Sequence, residues 1–247
     1  MRTILTIGGT DSSGGAGLSR DAFVARAMGF DVQPIVTAVT AQSHAGVFAV
    51  EVMPPDLVRA QISAALEAQA PSAVKIGMLG SGAIAAAVAV ALADLRAPVV
   101  LDPVLRSSSG GTLMAGALPC ALLALSRVIT PNLPEAAALS GGGAARGDAQ
   151  IARQANWFLA RGAQAVLIKG GHACGARASD HLFDPGGAGR QVFHAARLGV
   201  QRRGTGCALA TAIACGLADT DCLSVACQAA KGFVQRWLRE GVAGAAG

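Results

Sequence analysis

Seven clusters of polar residues and glycines punctuate this chain, each offering groups that could meet an anion or a small heteroaromatic ring. The first, Gly8-Gly9-Thr10-Asp11-Ser12-Ser13-Gly14-Gly15-Ala16-Gly17, opens a helical segment. Glycines let backbone approach a ligand closely, and a helix start presents free N–H groups, although a tight turn needing positive φ uses the same glycines. It is neither a Gly-x-Gly-x-x-Gly fingerprint nor a P-loop, since no Gly-Lys-Ser/Thr follows. Thr40-Ala41-Gln42-Ser43-His44 brings a carboxamide that can pair with an aminopyrimidine-like edge, whereas a merely solvated Gln42 or His44 needs no ligand. In Lys75-Ile76-Gly77-Met78, Met78 is either core filler or ligand wall.

The remaining four clusters carry charge chemistry. Asp102-Pro103-Val104 ends an apolar run with a carboxylate, which is costly to bury unless paired or near a metal. Asp102 is therefore either a structural hydrogen-bond acceptor or a magnesium or phosphate group. Asn132 and Glu135, in Thr130-Pro131-Asn132-Leu133-Pro134-Glu135, form either a helix cap or a holder of hydrated Mg²⁺. Lys169, before Gly170-Gly171-His172, is placed to meet a phosphate as a point charge. Gly204-Thr205-Gly206-Cys207 precedes the apolar run Ala208–Leu217, as an anion nest at a helix start does. Cys207 falls in the first turn, where the helix dipole lowers a thiol pKa; taken alone it reads rather as an inert core thiol, a reading that the preceding loop argues against.

The elements that position these clusters alternate from end to end. Strands are expected at Thr3–Gly8, Val32–Val39, Ala73–Met78, Pro98–Val104, Arg127–Thr130 and Ala165–Lys169, several of them continuous apolar runs suited to burial on both faces. Helices are expected near Ala16–Met28, Pro55–Gln69, Gly82–Leu95, Pro134–Leu139, Ala149–Arg161, Gly206–Ala218 and Cys222–Glu240. His181–Phe183 and Gln191–His194, split by Asp184-Pro185-Gly186-Gly187, read as a hairpin. The Gly/Ala-rich tail from Gly241 to Gly247 reads as frayed. The rhythm argues for a mostly parallel sheet covered on both faces, with ligands beyond the carboxyl ends of its strands, where the clusters fall.

Composition narrows the function classes. Of the 247 residues 52% are apolar and 14% charged, the reverse of a disordered chain. The net charge of +5 is scattered and not interleaved with aromatics, which argues against nucleic-acid binding and suits small anionic ligands. The N-terminal residues lack a signal-peptide pattern, and Ala83–Leu95 is too short to span a bilayer. Six cysteines without a Cys-x-x-Cys pair fit a reducing cytoplasm rather than a disulfide framework or zinc site.

In their order along the chain the clusters resemble the hydroxymethylpyrimidine/phosphomethylpyrimidine kinases, relatives of pyridoxal kinase and ribokinase. The resemblance rests on Gly9–Gly17, Thr37-Ala38-Val39-Thr40-Ala41-Gln42, Lys75-Ile76-Gly77-Met78-Leu79 and Leu101-Asp102-Pro103-Val104. It continues in Ile129–Ala136, Lys169-Gly170-Gly171-His172 and Gly204-Thr205-Gly206-Cys207, and spans roughly Ile4 to Leu238. It implies an α/β, ribokinase-like three-layer α/β/α fold over residues 1–247 as one domain, a cytoplasmic location and a homodimer. It implies ATP-dependent, Mg²⁺-dependent phosphorylation of the hydroxymethyl group of 4-amino-5-hydroxymethyl-2-methylpyrimidine and/or its monophosphate, in thiamine biosynthesis. On that resemblance Gln42 pairs with the pyrimidine, Ala16, Met78 and Val104 wall it, and Gly9 and Asp21 complete its site. Asn132, Lys169 and Thr205 meet the nucleotide, and Glu135 and Asp102 hold the metal directly or through water. Cys207, Gly204, Thr205, Gly206 and Lys169 surround the transferring group.

The chain departs from the family pattern in places. Asp11-Ser12-Ser13 stands where Asp-Pro-Ser is usual, and Arg203 where a His often precedes the Gly-Thr-Gly-Cys turn. Ala208 replaces a Thr, Leu18-Ser19-Arg20-Asp21 replaces Ile-Gln-Ala-Asp, and Arg106-Ser107-Ser108-Ser109-Gly110 replaces Lys-Ser-Gly. The alternatives are a pyridoxal or pyridoxine kinase and a pyrimidine-binding homologue impaired in transfer. A nicotinamide-dependent dehydrogenase lacks its fingerprint.

Overall fold

The structure, a computed structural model, describes residues 2–106, 111, 113–171, 176–187, 189–200 and 202–243, without the side chains of 241–243. Its first strand, β1 (Thr3–Gly9), is buried along its whole length and lies inside a nine-stranded sheet. In chain order follow α1 (Gly17–Ala27), β2 (Asp31–Gln42), β3 (Val47–Val52), α2 (Pro55–Ala68), β4 (Ala73–Ile76), β5 (Gly80–Ser81), α3 (Gly82–Ala91), β6 (Val99–Leu101) and β7 (Met114–Ala115). Then come α4 (Cys120–Leu125), β8 (Val128–Ile129), α5 (Leu133–Ser140), α6 (Asp148–Leu159), β9 (Val166–Ile168), β10 (Arg177–Asp184), β11 (Gly189–Ala196), α7 (Thr205–Asp219) and α8 (Leu223–Ala243).

The sheet order is β11-β10-β9-β8-β6-β4-β1-β2-β3, with β5 and β7 paired separately. From β2 to β9 neighbouring strands run parallel; β3 at one edge and the β10–β11 hairpin at the other are antiparallel. From β1 the chain moves to β2 on one side and then to β4 on the other, so the direction of winding reverses beside β1. That reversal opens the crevice where ligands of parallel sheets bind.

Helices α2 to α6 cover one face of the sheet, through Val58, Ile84, Leu122, Ala136 and Phe158. The other face is covered by α1, α7 and α8, through Val24, Ile213 and Ala230. Helix α7 is buried along every residue from Ala208 to Leu217, and its Ala-, Gly- and Cys-rich sequence allows close packing all round. A Cβ at Gly216 would lie 2.9 Å from the Cβ of Ala226 on α8. Among the described residues no helix is long and apolar enough to cross a membrane.

Several elements differ from expectation. Strand β2 extends to Gln42 because β3 pairs with it, so Thr40–Gln42 is strand rather than loop. Pro34 is accommodated because β3 pairs only from Ala38 onward, leaving that side of β2 open where the missing N–H falls. Strands β4 and β6 stop at Ile76 and Leu101, leaving Met78, Asp102 and Val104 just beyond them, and α3 ends at Ala91. Helix α4 was not anticipated, and α8 continues to Ala243, three residues into the expected frayed tail.

Candidate active site

Period-two alternation along the strands decides which polar side chains meet. In β4, Val74 and Ile76 enter the core under α2–α6, so Lys75 points to the α1/α7 side. In β6, Val99 and Leu101 take the first side and Val100 the second, so Asp102 follows Val100 toward α7. Thr130 after Ile129 and Lys169 after Ile168 obey the same parity. Lys169 Nζ donates to Asp102 Oδ1 at 2.6 Å and lies 4.0 Å from Glu135 Oε2; Thr130 Oγ1 donates to Asp102 Oδ1 at 3.3 Å. The start of α7 rests on this cluster: a Cβ at Gly206 would sit 3.4 Å from Lys169 Nζ and 3.7 Å from Asp102 Oδ2. Gly204 enters the helix in the left-handed region at φ 75°. Lysine ammonium and α7 N-terminus thus face one point, the electrostatics that a phosphoryl group requires.

Burial, opposed by Lys169, raises the Glu135 carboxyl to about 7, with Asp102 adding to the rise. Burial pulls the Lys169 ammonium down, but Asp102 and Glu135 outweigh it and the net shift is upward. Asn132 and Glu135 form the helix cap: Asn132 Oδ1 accepts from Glu135 N–H and Glu135 Oε2 from Asn132 N–H, both at 2.8 Å. Asp102 and Glu135 nevertheless fit a hydrated Mg²⁺, which takes one or two carboxylates and draws its other ligands from phosphates and water. No group of three or more His, Cys, Asp or Glu that could hold a metal exists among the described residues.

On the other side of the crevice Gln42 ends β2. Its backbone N–H and C=O are both bonded to Ser12 Oγ at 2.8 Å, and its Oε1 accepts from Thr40 Oγ1 at 3.2 Å. Met78 is 8% exposed and packs with Ala38 and Leu113, with Val104 against them, so it is core and wall at once. Its sulfur lies over Gly9, where a Cβ would come within 2.7 Å. Gly9, Ala16, Gln42, Met78, Asp102, Val104, Asn132, Glu135, Lys169 and Gly204–Cys207 all line one continuous cleft of about 1660 Å³.

Two expectations are corrected. Asp21 is fully buried and does not line the cleft; its Oδ2 accepts from Lys75 Nζ at 2.7 Å and its Oδ1 from Thr211 Oγ1 at 2.8 Å. It anchors a lysine beneath the site instead of touching a ligand. The Cys207 thiol is pushed up, not down: burial dominates, with Lys75 and the Gly17 N–H opposing it, so the dipole of its own helix does not decide.

Beyond this geometry, residues 11–247 match the family model for phosphomethylpyrimidine kinase. The chain belongs to that family. A hydroxymethylpyrimidine/phosphomethylpyrimidine kinase of Rhizobium meliloti is 41% identical over 93% of this chain and 88% of its own. The phosphomethylpyrimidine kinase of Clostridium difficile superposes with a TM-score of 0.80 at 32% identity, covering 98% of this chain and all of its own. A Bacillus subtilis pyridoxal kinase, solved as an ADP complex, superposes at 0.84 with 29% identity, covering 94% and 90%. The fold is therefore the ribokinase-like three-layer α/β/α arrangement, and the chain is a kinase.

Of the residues that depart from the family pattern, Arg203 donates Nη1 to Ser13 Oγ at 2.8 Å, and Ser12 Oγ bonds the Gln42 backbone. Ala208 is fully buried. Ser107–Gly110 and His172 lie outside the described residues. Sequence reasoning missed Lys75, a cleft-lining cation that is only 1% exposed. A lysine inside a four-residue apolar strand was the available signal, because a buried cation must find a carboxylate.

Proposed function

We propose that the chain transfers the γ-phosphoryl group of ATP to the hydroxymethyl oxygen of 4-amino-5-hydroxymethyl-2-methylpyrimidine and/or its monophosphate, in thiamine biosynthesis. The observation that carries this is the single cleft joining Gln42 and the Met78–Val104 wall to the Gly204–Cys207 turn over Lys169 and Asp102. Gln42 offers its carboxamide to the ring edge, with Gly9, Ala16, Met78 and Val104 around it. Gly204, Thr205 and Gly206 present backbone N–H groups to the phosphoryl group, and Lys169 adds a fixed positive charge. Asn132 and Thr205 border the nucleotide on its phosphate side, and the ADP bound by the similar pyridoxal kinase supports ATP here. Asp102 and Glu135 would hold Mg²⁺ directly or through water, and the ion would neutralise phosphate charge. Cys207, half-buried in the cleft lining with its thiol pushed up by desolvation, positions the acceptor hydroxyl. A loose transition state needs little help from a base.

The reading extends to the assembly. One domain over 1–247 is supported by the single main sheet, to which strands from Thr3 to Ala196 contribute and which α7 and α8 complete. A homodimer is supported by exposed Val39, Phe48 and Val52 beside the open β3 edge, and a cytoplasmic site by the free state of the described cysteines. Pyridoxal is a second acceptor to test, because the pyridoxal kinase superposes at 0.84.

ADP release measured with the pyrimidine alcohol, its monophosphate and pyridoxal in turn tests the reading. Release with either pyrimidine well above the acceptor-free rate is expected; release with neither, or with pyridoxal alone, refutes it.

A further inference from the structure

Three segments far apart in sequence form the acceptor side of the cleft: the loop after β1, the turn between β2 and β3, and the entry to α7. One side chain touches all three. Arg203, whose side chain is 14% exposed, donates Nη1 to Ser13 Oγ at 2.8 Å and to the Ser43 carbonyl at 2.9 Å, and Nη2 to Asp11 Oδ2 at 3.0 Å. Asp11 Oδ1 in turn accepts from Ser13 N–H at 2.9 Å and Ser13 Oγ at 2.7 Å. Neighbouring Arg202 and Arg20 stack on the ring of Trp237 with centroid distances of 4.3 and 4.6 Å, and Arg20 Nη2 also donates to Gly15 O at 3.4 Å, but neither is bonded to Ser13 or Ser43.

The grip reaches the residues that matter. Ser43 directly follows Gln42, whose backbone is stapled to Ser12 in the same loop. Gly204, directly after Arg203, packs so tightly on that loop that a Cβ would lie 2.5 Å from Gly15 O. A planar guanidinium can serve three acceptors in fixed directions; an ammonium on a flexible stem cannot hold them in one geometry. The buried carboxylate of Asp11 keeps the fork in place without leaving a net charge in the wall.

We propose that Arg203 is a positioning and specificity residue that fixes the distance from Gln42 to the α7 turn, and so selects acceptors whose hydroxymethyl group reaches the turn while their ring edge meets Gln42. This rests on the proposed roles of Gln42 and the turn. A ring of another size would need Ser43 and Gly204 to separate, which the fork resists.

The test combines kinetics with amide exchange on Arg203→Ala, Arg203→Lys and Arg203→Ala with Asp11→Asn, the last removing the carboxylate that a lone truncation would strand. All three should raise the pyrimidine KM, Arg203→Ala by roughly tenfold or more, the scale of a lost charge-assisted hydrogen bond. The ATP KM should stay within about twofold, and pyridoxal should lose ground least. Amide exchange at Gln42–Gly46 should quicken while β1 and β4 keep their protection. Exchange needs no substrate, so it reports on the latch even if the proposed reaction is wrong. Unchanged exchange at Gln42–Gly46, or a uniform rise across the sheet, overturns the proposal, as does a KM effect on ATP as large as that on the pyrimidine.

Discussion

Replacing Lys169 by methionine isolates the charge cluster under α7. In the native chain one ammonium serves two carboxylates, Asp102 at 2.6 Å and Glu135 at 4.0 Å, and the three side chains are 11%, 2% and 9% exposed. Removing one partner of a buried ion pair costs about 3–5 kcal/mol, because the other charge stays uncompensated. For a chain of this size that is a fall of about 6–20 °C in Tm. The penalty should depend on pH in a known direction. Lys169 is what opposes the rise of the Glu135 pKa to about 7, so the variant's carboxyl goes higher still. The unfolded chain ionises Glu135 above about pH 5, whereas the folded variant holds its proton to higher pH, so the loss grows from pH 5 to pH 8. Adding Asp102→Asn should recover much of the stability and none of the turnover. Urea unfolding of wild type, both single variants and the double variant at pH 5 and 8 gives the cycle. A loss under about 1 kcal/mol at pH 8, or one equal at both pH values, would mean that solvent screens the cluster.

Gln42→Ala should weaken pyrimidine binding by about 1–3 kcal/mol, seen as a rise in its KM with the ATP KM unchanged. Glu135→Gln should keep the helix cap, since glutamine serves in a capping box, yet raise the half-saturating Mg²⁺ concentration by roughly tenfold in a turnover titration. Alkylation followed by peptide mapping should modify exposed Cys222, whose thiol is lowered by Ser224, before Cys207, whose thiol burial raises. Modification of Cys207 should climb about tenfold per pH unit below its pKa and slow when the pyrimidine is bound.

Much of this was legible in the sequence, for identifiable reasons. Strands buried on both faces write themselves as apolar runs, so β1 and β9 could be read directly, and the clusters after them fell in the crevice. Strand β3 escaped although Val47-Phe48-Ala49-Val50 is itself an apolar run: it lies at the sheet edge, largely faces solvent, and is interrupted by Glu51. The charge of Asp102 was visible, but its partner was not: Lys169 lies 67 residues away, and only strand parity brings them together. Asp21 was drawn to the ligand by its motif, although Lys75, 54 residues on, claims it. The lowered pKa expected for Cys207 came from its helix position, a local property that burial outweighs.

The contact of Gly204 with Gly15, backed by the bond from Arg203 to Ser13 across 190 residues, also governs when the site can exist. The loop after β1 is synthesised well before the turn that completes it, since 190 residues separate Ser13 from Arg203. A nascent chain can pair β1 with β2 and β4 through short crossovers long before α7 arrives. Transfer competence is therefore acquired late, by closure of one long loop, and a partly made chain has a sheet with nothing to phosphorylate on it.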